Sequence, residues 1–170
     1  MTRPASARAT ALPLLLGALL ASALWTGSPQ AQQRFSIADV IGPGFPYELV
    51  SARKADRIAW IEYERGMRNV YTAVPPDFAP VRLTAYVQDD GVDLTGLRIA
   101  DDGSLVTFLR GHERNREGWI ANVASDPRGG QRVVHAISTA GGEPWRVVEA
   151  DEQRLSPDGR WVLYERDGQI

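Results

Sequence analysis

A chain of 170 residues with 44% hydrophobic and 24% charged residues has the balance of an ordinary globular protein, away from the disordered and fibrous extremes. Its 19 basic and 21 acidic residues are interspersed and leave a formal charge of −2, so there is no basic stripe for nucleic acid. The absence of cysteine excludes disulfides, a thiolate metal site, a cysteine nucleophile and a lipid-modified N-terminal cysteine.

Residues 1–31 read as a secretory signal peptide. Arg3 and Arg8 give a positive start, and Ala9 to Leu24 is apolar apart from Thr10, Pro13, Gly17 and Ser22. Small residues follow, completing the tripartite plan of an export signal. The apolar run is short of the roughly 20 residues that a membrane span needs. Cleavage after Ala23 and cleavage after Ala31 both fit, and an uncleaved N-terminal anchor is the alternative. The mature chain then has 17 basic and 21 acidic residues, which suits a soluble periplasmic or secreted protein with no membrane attachment.

From Arg34 onward no amphipathic helix is expected, and the stretch 37–49, with Pro43, Gly44 and Pro46, reads as an entry segment. Short alternating apolar runs predict strands over 48–52, 57–62, 69–73, 82–86, 97–100, 105–110, 119–123, 132–138, 145–148 and 161–165. Turn signals separate them: Pro75-Pro76, Asp89-Asp90-Gly91, Asp102-Gly103, Pro127 to Gly130, Gly141-Gly142 and Pro157-Asp158-Gly159.

Within this pattern a repeat is legible. Ser156-Pro157-Asp158-Gly159 leads into Val162 and Tyr164, as Ala100-Asp101-Asp102-Gly103 leads into Val106 and Phe108. A weaker copy, from Arg53 to Trp60, places Ile58 and Trp60 in the same relation. An aliphatic residue and an aromatic two places later share one face of a strand. The first two units continue with a polar stretch and a further strand (Asn69 to Tyr71, Gly118 to Ile120), then close on Pro80 to Thr84 and Pro144 to Val148. The aligned aliphatic residues are 48 and 56 residues apart, a spacing that fits a four-stranded propeller blade with loop insertions. The expected fold is all-β: a partial β-propeller of about three four-stranded blades over 32–170, an incomplete N-terminal domain after the signal peptide. A β-sandwich with similar hairpins is the alternative.

The segment from Leu155 to Tyr164 resembles the repeat of TolB-type propellers and of the propellers of the prolyl oligopeptidase family of serine peptidases. Leu83-Thr84-Ala85-Tyr86, Asp89-Asp90-Gly91, Asp102-Gly103 and Phe108 to Gly111 resemble the opening blades of exported bacterial members of that family, as do Ser125 to Gly129 and Gly141 to Pro144. The resemblance runs from about Phe35 to the end. It implies a two-domain enzyme whose propeller gates and positions peptide substrates over a C-terminal α/β-hydrolase domain that carries the Ser, Asp and His. The sequence stops at Ile170, within about the third blade, so the chain is expected to be a fragment that is inactive alone. The alternative function is a TolB-like periplasmic propeller that binds a protein partner, and a third is a small β protein completed by oligomerisation.

No catalytic, cofactor or metal residue is assigned, and no cofactor is expected. Ser104 follows Gly103 but precedes a strand, without the second glycine or the helix of a nucleophile elbow. His112 falls in the polar loop from Gly111 to Gly118 and His135 within a strand. Asp89, Asp90 and Asp93 depart from the spacing of a calcium loop. Glu62 and Glu64 share a strand face, but the glutamate-pair motif of the dipeptidyl peptidases in this family has no match around them. Asp89, Asp90 and Asp93 are expected to form a solvated turn, and Glu62 and Glu64 to lie on an exposed blade edge.

Overall fold

The computed structural model describes residues 36–170; the expected signal segment 1–31 lies outside the described residues. A single helical turn, α1 (Ile37–Ile41), opens the described chain where only an irregular entry segment was expected. It stops before Pro43 and Gly44, and no described helix is long and apolar enough to cross a membrane. Every strand after it pairs antiparallel, with turns and loops between.

The first sheet holds β1 (Phe45–Ser51), β2 (Ile58–Glu64), β3 (Met67–Ala73) and β4 (Val81–Arg82), in that order. The second holds β5 (Leu94–Ile99), β6 (Leu105–Arg110), β7 (Val133–Ser138) and β8 (Trp145–Glu149), again as a simple meander. β9 (Glu152–Leu155) pairs with β10 (Val162–Glu165) in a two-stranded sheet. The fold is therefore all-β, with sheets of four, four and two strands.

The first hairpin of each sheet is closed alike, at equivalent residues. Ile58, Val106 and Val162 stand opposite Ser51, Ile99 and Leu155. The same bond closes each first hairpin at 2.9 Å: Ala52 N–H to Arg57 O, Ala100 N–H to Leu105 O, and Ser156 N–H to Trp161 O. β1 and β5 share a bulge at one position, between Tyr47 and Val50 and between Thr95 and Arg98. Its apex is left-handed in both, with φ of 52° at Glu48 and 64° at Gly96. A bulge inserts one unpaired residue and bends the strand, so conserving its place conserves the sheet's curvature. A cross-strand ring stack also recurs, Trp60 on Tyr71 at 5.7 Å and Phe108 on His135 at 5.6 Å.

The sheets pack face to face, β5 against β1 and β2, and β9 against β5 and β6. Between the first two sheets lies the main core, where Ala59, Ile61, Val70 and Leu83 meet Leu94, Leu97, Val106, Phe108 and Ile137. A smaller cluster of Leu109, Val134 and Ala150, with Val148 and Val162, joins the second sheet to β9–β10. The turn glycines fix the spacing. A Cβ on Gly103 would stand 3.5 Å from the Ala52 Cβ and 3.2 Å from the Arg57 Cβ. One on Gly159 would stand 3.1 Å and 3.7 Å from the equivalent atoms of Ala100 and Leu105. Each glycine has positive φ (73° and 68°), where other residues strain, so turn geometry and close approach ask for the same residue.

Three expectations need correction. The segment 119–123 is not a strand: Ile120 makes one isolated bridge to Arg114, and Trp119 is 74% exposed. The Asn115 side chain accepts from the Glu117 and Trp119 N–H groups, curling the segment into a loop. The third strand of the second sheet is β7. Secondly, the strand expected over 82–86 leaves the ladder after Arg82, because the side chain of Asn69 takes over the pairing. Its amide accepts from Tyr86 N–H (2.9 Å) and donates to Tyr86 O (2.9 Å), while Thr84 Oγ1 accepts from Val70 N–H. Thirdly, β9 was not expected; its sequence, Glu-Gln-Arg-Leu, lacks the β-branched and aromatic residues that mark strands.

Candidate functional site

The first strand of each sheet contributes to one cleft of about 430 Å³, lined by Glu48 and Val50 of β1, Thr95 to Arg98 of β5 and Glu152 of β9. The repeat explains why these residues converge: Glu48, Gly96 and Glu152 occupy one equivalent position, 48 and 56 residues apart. The bulge turns that position out of the ladder, and the Glu48 carboxylate then accepts the Leu97 N–H at 2.7 Å across the junction between the sheets. Tyr47 makes the parallel crossing, its hydroxyl donating to Leu94 O at 3.1 Å. Burial pushes the Tyr47 phenol up to about 12, so it remains a donor at all ordinary pH values.

Arg132 closes the cleft on one side and is 4% exposed. Its guanidinium donates to Asp151 O (3.0 Å), Gly111 O (3.1 Å) and Thr95 Oγ1 (3.3 Å), with a Glu113 carboxylate oxygen at 3.6 Å. A buried charge needs such partners. Here they tie β5, the β6–β7 connection and the β8–β9 link to one side chain. The cleft wall thus includes Glu48, Glu113 and Glu152 as well as Arg98.

At the end of the sheets marked by the β2–β3 turn, a second polar cluster gathers Asp89, Asp90, Asp93 and His112 from the candidates read in the sequence. Arg110 lies over the Tyr86 ring at 4.7 Å and pairs with Asp90. Asp93 receives His112 Nδ1 at 2.9 Å and Arg68 Nε at 3.4 Å, and His112 Nε2 stands 2.9 Å from Gly91 O. Asp89 turns back onto Gly91 N–H. Beside this cluster the 111–132 connection covers a cavity of about 150 Å³ lined by Arg110, Arg128, Arg146, Asp126 and His135. The Arg128 side chain holds the Asp126 carboxyl down at about 2. Arg146 pairs with Glu149 and donates to Gln131. Each guanidinium here has its own acid, so the cluster is charge-compensated.

The carboxylates Asp89, Asp90 and Asp93 therefore serve a turn and two ion pairs, and the described residues contain no group of three or more His, Asp or Glu placed to hold a metal. Glu62 and Glu64 do not lie on an exposed edge as expected: β2 is an interior strand paired with β1 and β3, both side chains are half-buried, and Glu62 accepts the Trp60 indole N–H at 3.0 Å. The Ser104 hydroxyl donates to Asp102 Oδ1 at 2.7 Å within an exposed turn, far in role from a nucleophile held by a base. His135 stacks on Phe108, and burial lowers its pKa although a bond to Val133 O opposes the shift. His112 is partnered by Gly91 O and Asp93, and His135 by Val133 O.

Sequence reasoning missed three buried polar side chains: Asn69, which holds the exit of the first sheet, and Arg132 and Gln153, which tie the second sheet to the β9 segment. Gln153 had a usable signal, since the repeat aligns it with Leu97 and Leu49. Arg132 had none, because its partners lie 19 to 37 residues away in one strand and two connections. No family model matches the chain, and the search of curated proteins finds no significant match.

Proposed function

We propose that this chain forms the opening part of an exported β-propeller of the prolyl oligopeptidase type, which admits and positions peptides for a serine hydrolase domain. The observation that carries the reading is the repeated docking of one sheet on the next, with Gly103 seated on Ala52 and Gly159 on Ala100. A sandwich of look-alike hairpins has no reason to repeat such a contact at the same residues. Successive four-stranded meanders packed by one operation are what a propeller requires. In that arrangement β1, β5 and β9 are the inner strands, and the cleft carrying Glu48, Arg98 and Glu152 faces the channel that a peptide would traverse. The residues of this chain bind and orient; acylation and deacylation belong to the hydrolase.

The test is the natural protein's mass, read by an antibody raised against residues 32–170, together with labelling by a serine-hydrolase probe. A labelled band several times larger than 18.7 kDa supports the reading. A large unlabelled band favours a binding propeller instead, and covalent labelling of the purified 32–170 chain would overturn the assignment of catalysis to another domain.

A further inference from the structure

His112 lies at the start of the 111–132 connection and is held on both sides of its ring. Its Nδ1 stands 2.9 Å from an Asp93 carboxylate oxygen, and its Nε2 stands 2.9 Å from Gly91 O. Both partners belong to the link between β4 and β5, so the ring fastens the long connection of the second sheet to the segment leading out of the first. The backbone adds one bond at the same place, from Gly111 N–H to Asp93 O at 2.9 Å. A carbonyl oxygen and an ionised carboxylate can only accept, whereas a neutral imidazole donates from one nitrogen and presents a lone pair on the other. The neutral ring therefore leaves one lone pair facing an oxygen. The protonated ring satisfies both contacts.

Charged groups reach this place from every element packed around it. Arg68 of β3 stands 3.4 Å from Asp93, and Asp90 pairs with Arg110 at the end of β6. Asp89 accepts the Gly91 N–H, and Glu113, next in the chain, stands 3.6 Å from Arg132 just before β7. Four carboxylates and three guanidiniums thus surround the ring, a balance that accommodates one further positive charge. We propose that His112 is a proton-dependent fastener of the 111–132 connection: protonation closes the connection onto the 89–93 turn, and loss of the proton releases it. Imidazole changes charge between about pH 5 and 8, so the device works across ordinary pH values. The fastened form binds the proton more readily than the released form, so closure is favoured as pH falls and lost as pH rises. Arg114, two residues on, holds the same connection to Asp151 at 2.7 Å and keeps its charge throughout that range. Release is therefore local to the His112 side. The same connection covers the cavity lined by Arg110, Arg128 and His135, so the fastener governs access to it. These contacts stand independently of the peptidase reading.

Amide exchange followed by NMR on the full chain, at about pH 5.5 and about pH 7.5, tests the proposal. Each rate is divided by that of the same residue in an unstructured peptide at the same pH. The buried Val70 amide, bonded to Thr84 Oγ1 within the first sheet, serves as the reference. Protection of the Gly111 amide relative to Val70 is expected to rise roughly threefold from the higher pH to the lower, the scale of a partly exposed ion pair. His112→Gln removes the titrating ring, and Asp93→Asn gives the neutral ring a donor to accept from. In each variant the ratio is expected to lose its pH dependence. Both side chains are partly exposed, so both variants are expected to keep the parent circular dichroism. A measurement on the wild type needs no variant. The His112 ring resonances, told apart from those of His135, the other of the two histidines, should shift over the pH interval in which Gly111 protection changes. The proposal is overturned by a Gly111 ratio that is independent of pH or falls in acid, by pH dependence that persists in either variant, or by a protection change outside the interval in which His112 titrates.

Discussion

The junction between the first and second sheets and the junction between the second sheet and β9–β10 are made by the same operation with different chemistry. In the first, Ala59 and Leu97 occupy positions that Thr107 and Gln153 hold in the second. The first is sealed by Phe108, which is wholly buried; in the second, its counterpart Tyr164 is 41% exposed. In place of apolar contact, the second junction uses hydrogen bonds: Thr107 Oγ1 donates to Gln153 Oε1 at 3.1 Å, and Gln153 Nε2 donates to Gly96 O at 2.5 Å. Backbone register and turn packing are therefore what the repeat preserves, and the filling between sheets varies. An apolar filling contributes through the area it removes from water, whereas a buried amide contributes little net and costs much when a partner is lost.

The largest expected effect separates the two aromatic counterparts. Phe108→Ala should destabilise the chain by about 3–5 kcal/mol through lost burial and the cavity left behind. Tyr164→Ala should cost about 1 kcal/mol or less, because much of the ring is already in water. Urea unfolding of the two variants measures the difference, and equal costs would erase the contrast between the junctions.

The exchange of fillings comes next. Gln153→Leu leaves the Thr107 hydroxyl and Gly96 O without their partner and should cost about 1–3 kcal/mol. Adding Thr107→Ala recreates the Ala59–Leu97 pair of the first junction and should recover part of that loss. A double-mutant cycle on unfolding midpoints reads the coupling, which should differ from additivity by about 0.5 kcal/mol or more for residues in contact. Strict additivity would mean that the two side chains act independently.

The smallest effect concerns the ring stacks. Burial, aided by the nearby Arg110 and Arg146 charges, lowers the pKa of His135 against the opposing bond to Val133 O. The unfolded chain therefore binds the proton more readily than the folded one, and stability should fall as pH drops below about 6.5. His135→Tyr, which copies Tyr71 of the first sheet, should flatten that slope. Unfolding midpoints at about pH 5 and about pH 7.5 check it, and an unchanged slope would assign the pH dependence to other groups.

Much of the fold is legible in the sequence because the repeat is carried by residues whose type is dictated locally. Asp-Gly turns followed by Val106 and Phe108, or by Val162 and Tyr164, announce a hairpin and the face it buries. Two kinds of feature escape that reading. Trp119 and Ile120 look like strand residues, yet no neighbouring strand is in place for them, and the Asn115 side chain settles the loop instead. β9 looks polar because Gln153 faces a junction that is satisfied by hydrogen bonds, a pattern that periodicity of apolar residues does not register. The clefts were less legible still, since Arg132 finds its partners through packing of whole sheets. Ser104, Asp102 and Glu62, by contrast, make the local contacts that their neighbours in sequence suggest.

The central claim is that one docking contact is used twice. Gly103→Ala and, separately, Gly159→Ala each put a Cβ at positive φ, 3.5 Å from the Ala52 Cβ and 3.1 Å from the Ala100 Cβ. Both should destabilise the chain by about 1 kcal/mol or more, read as a shift of the urea unfolding midpoint. A loss at one glycine with none at the other, or no loss at either, would contradict the account.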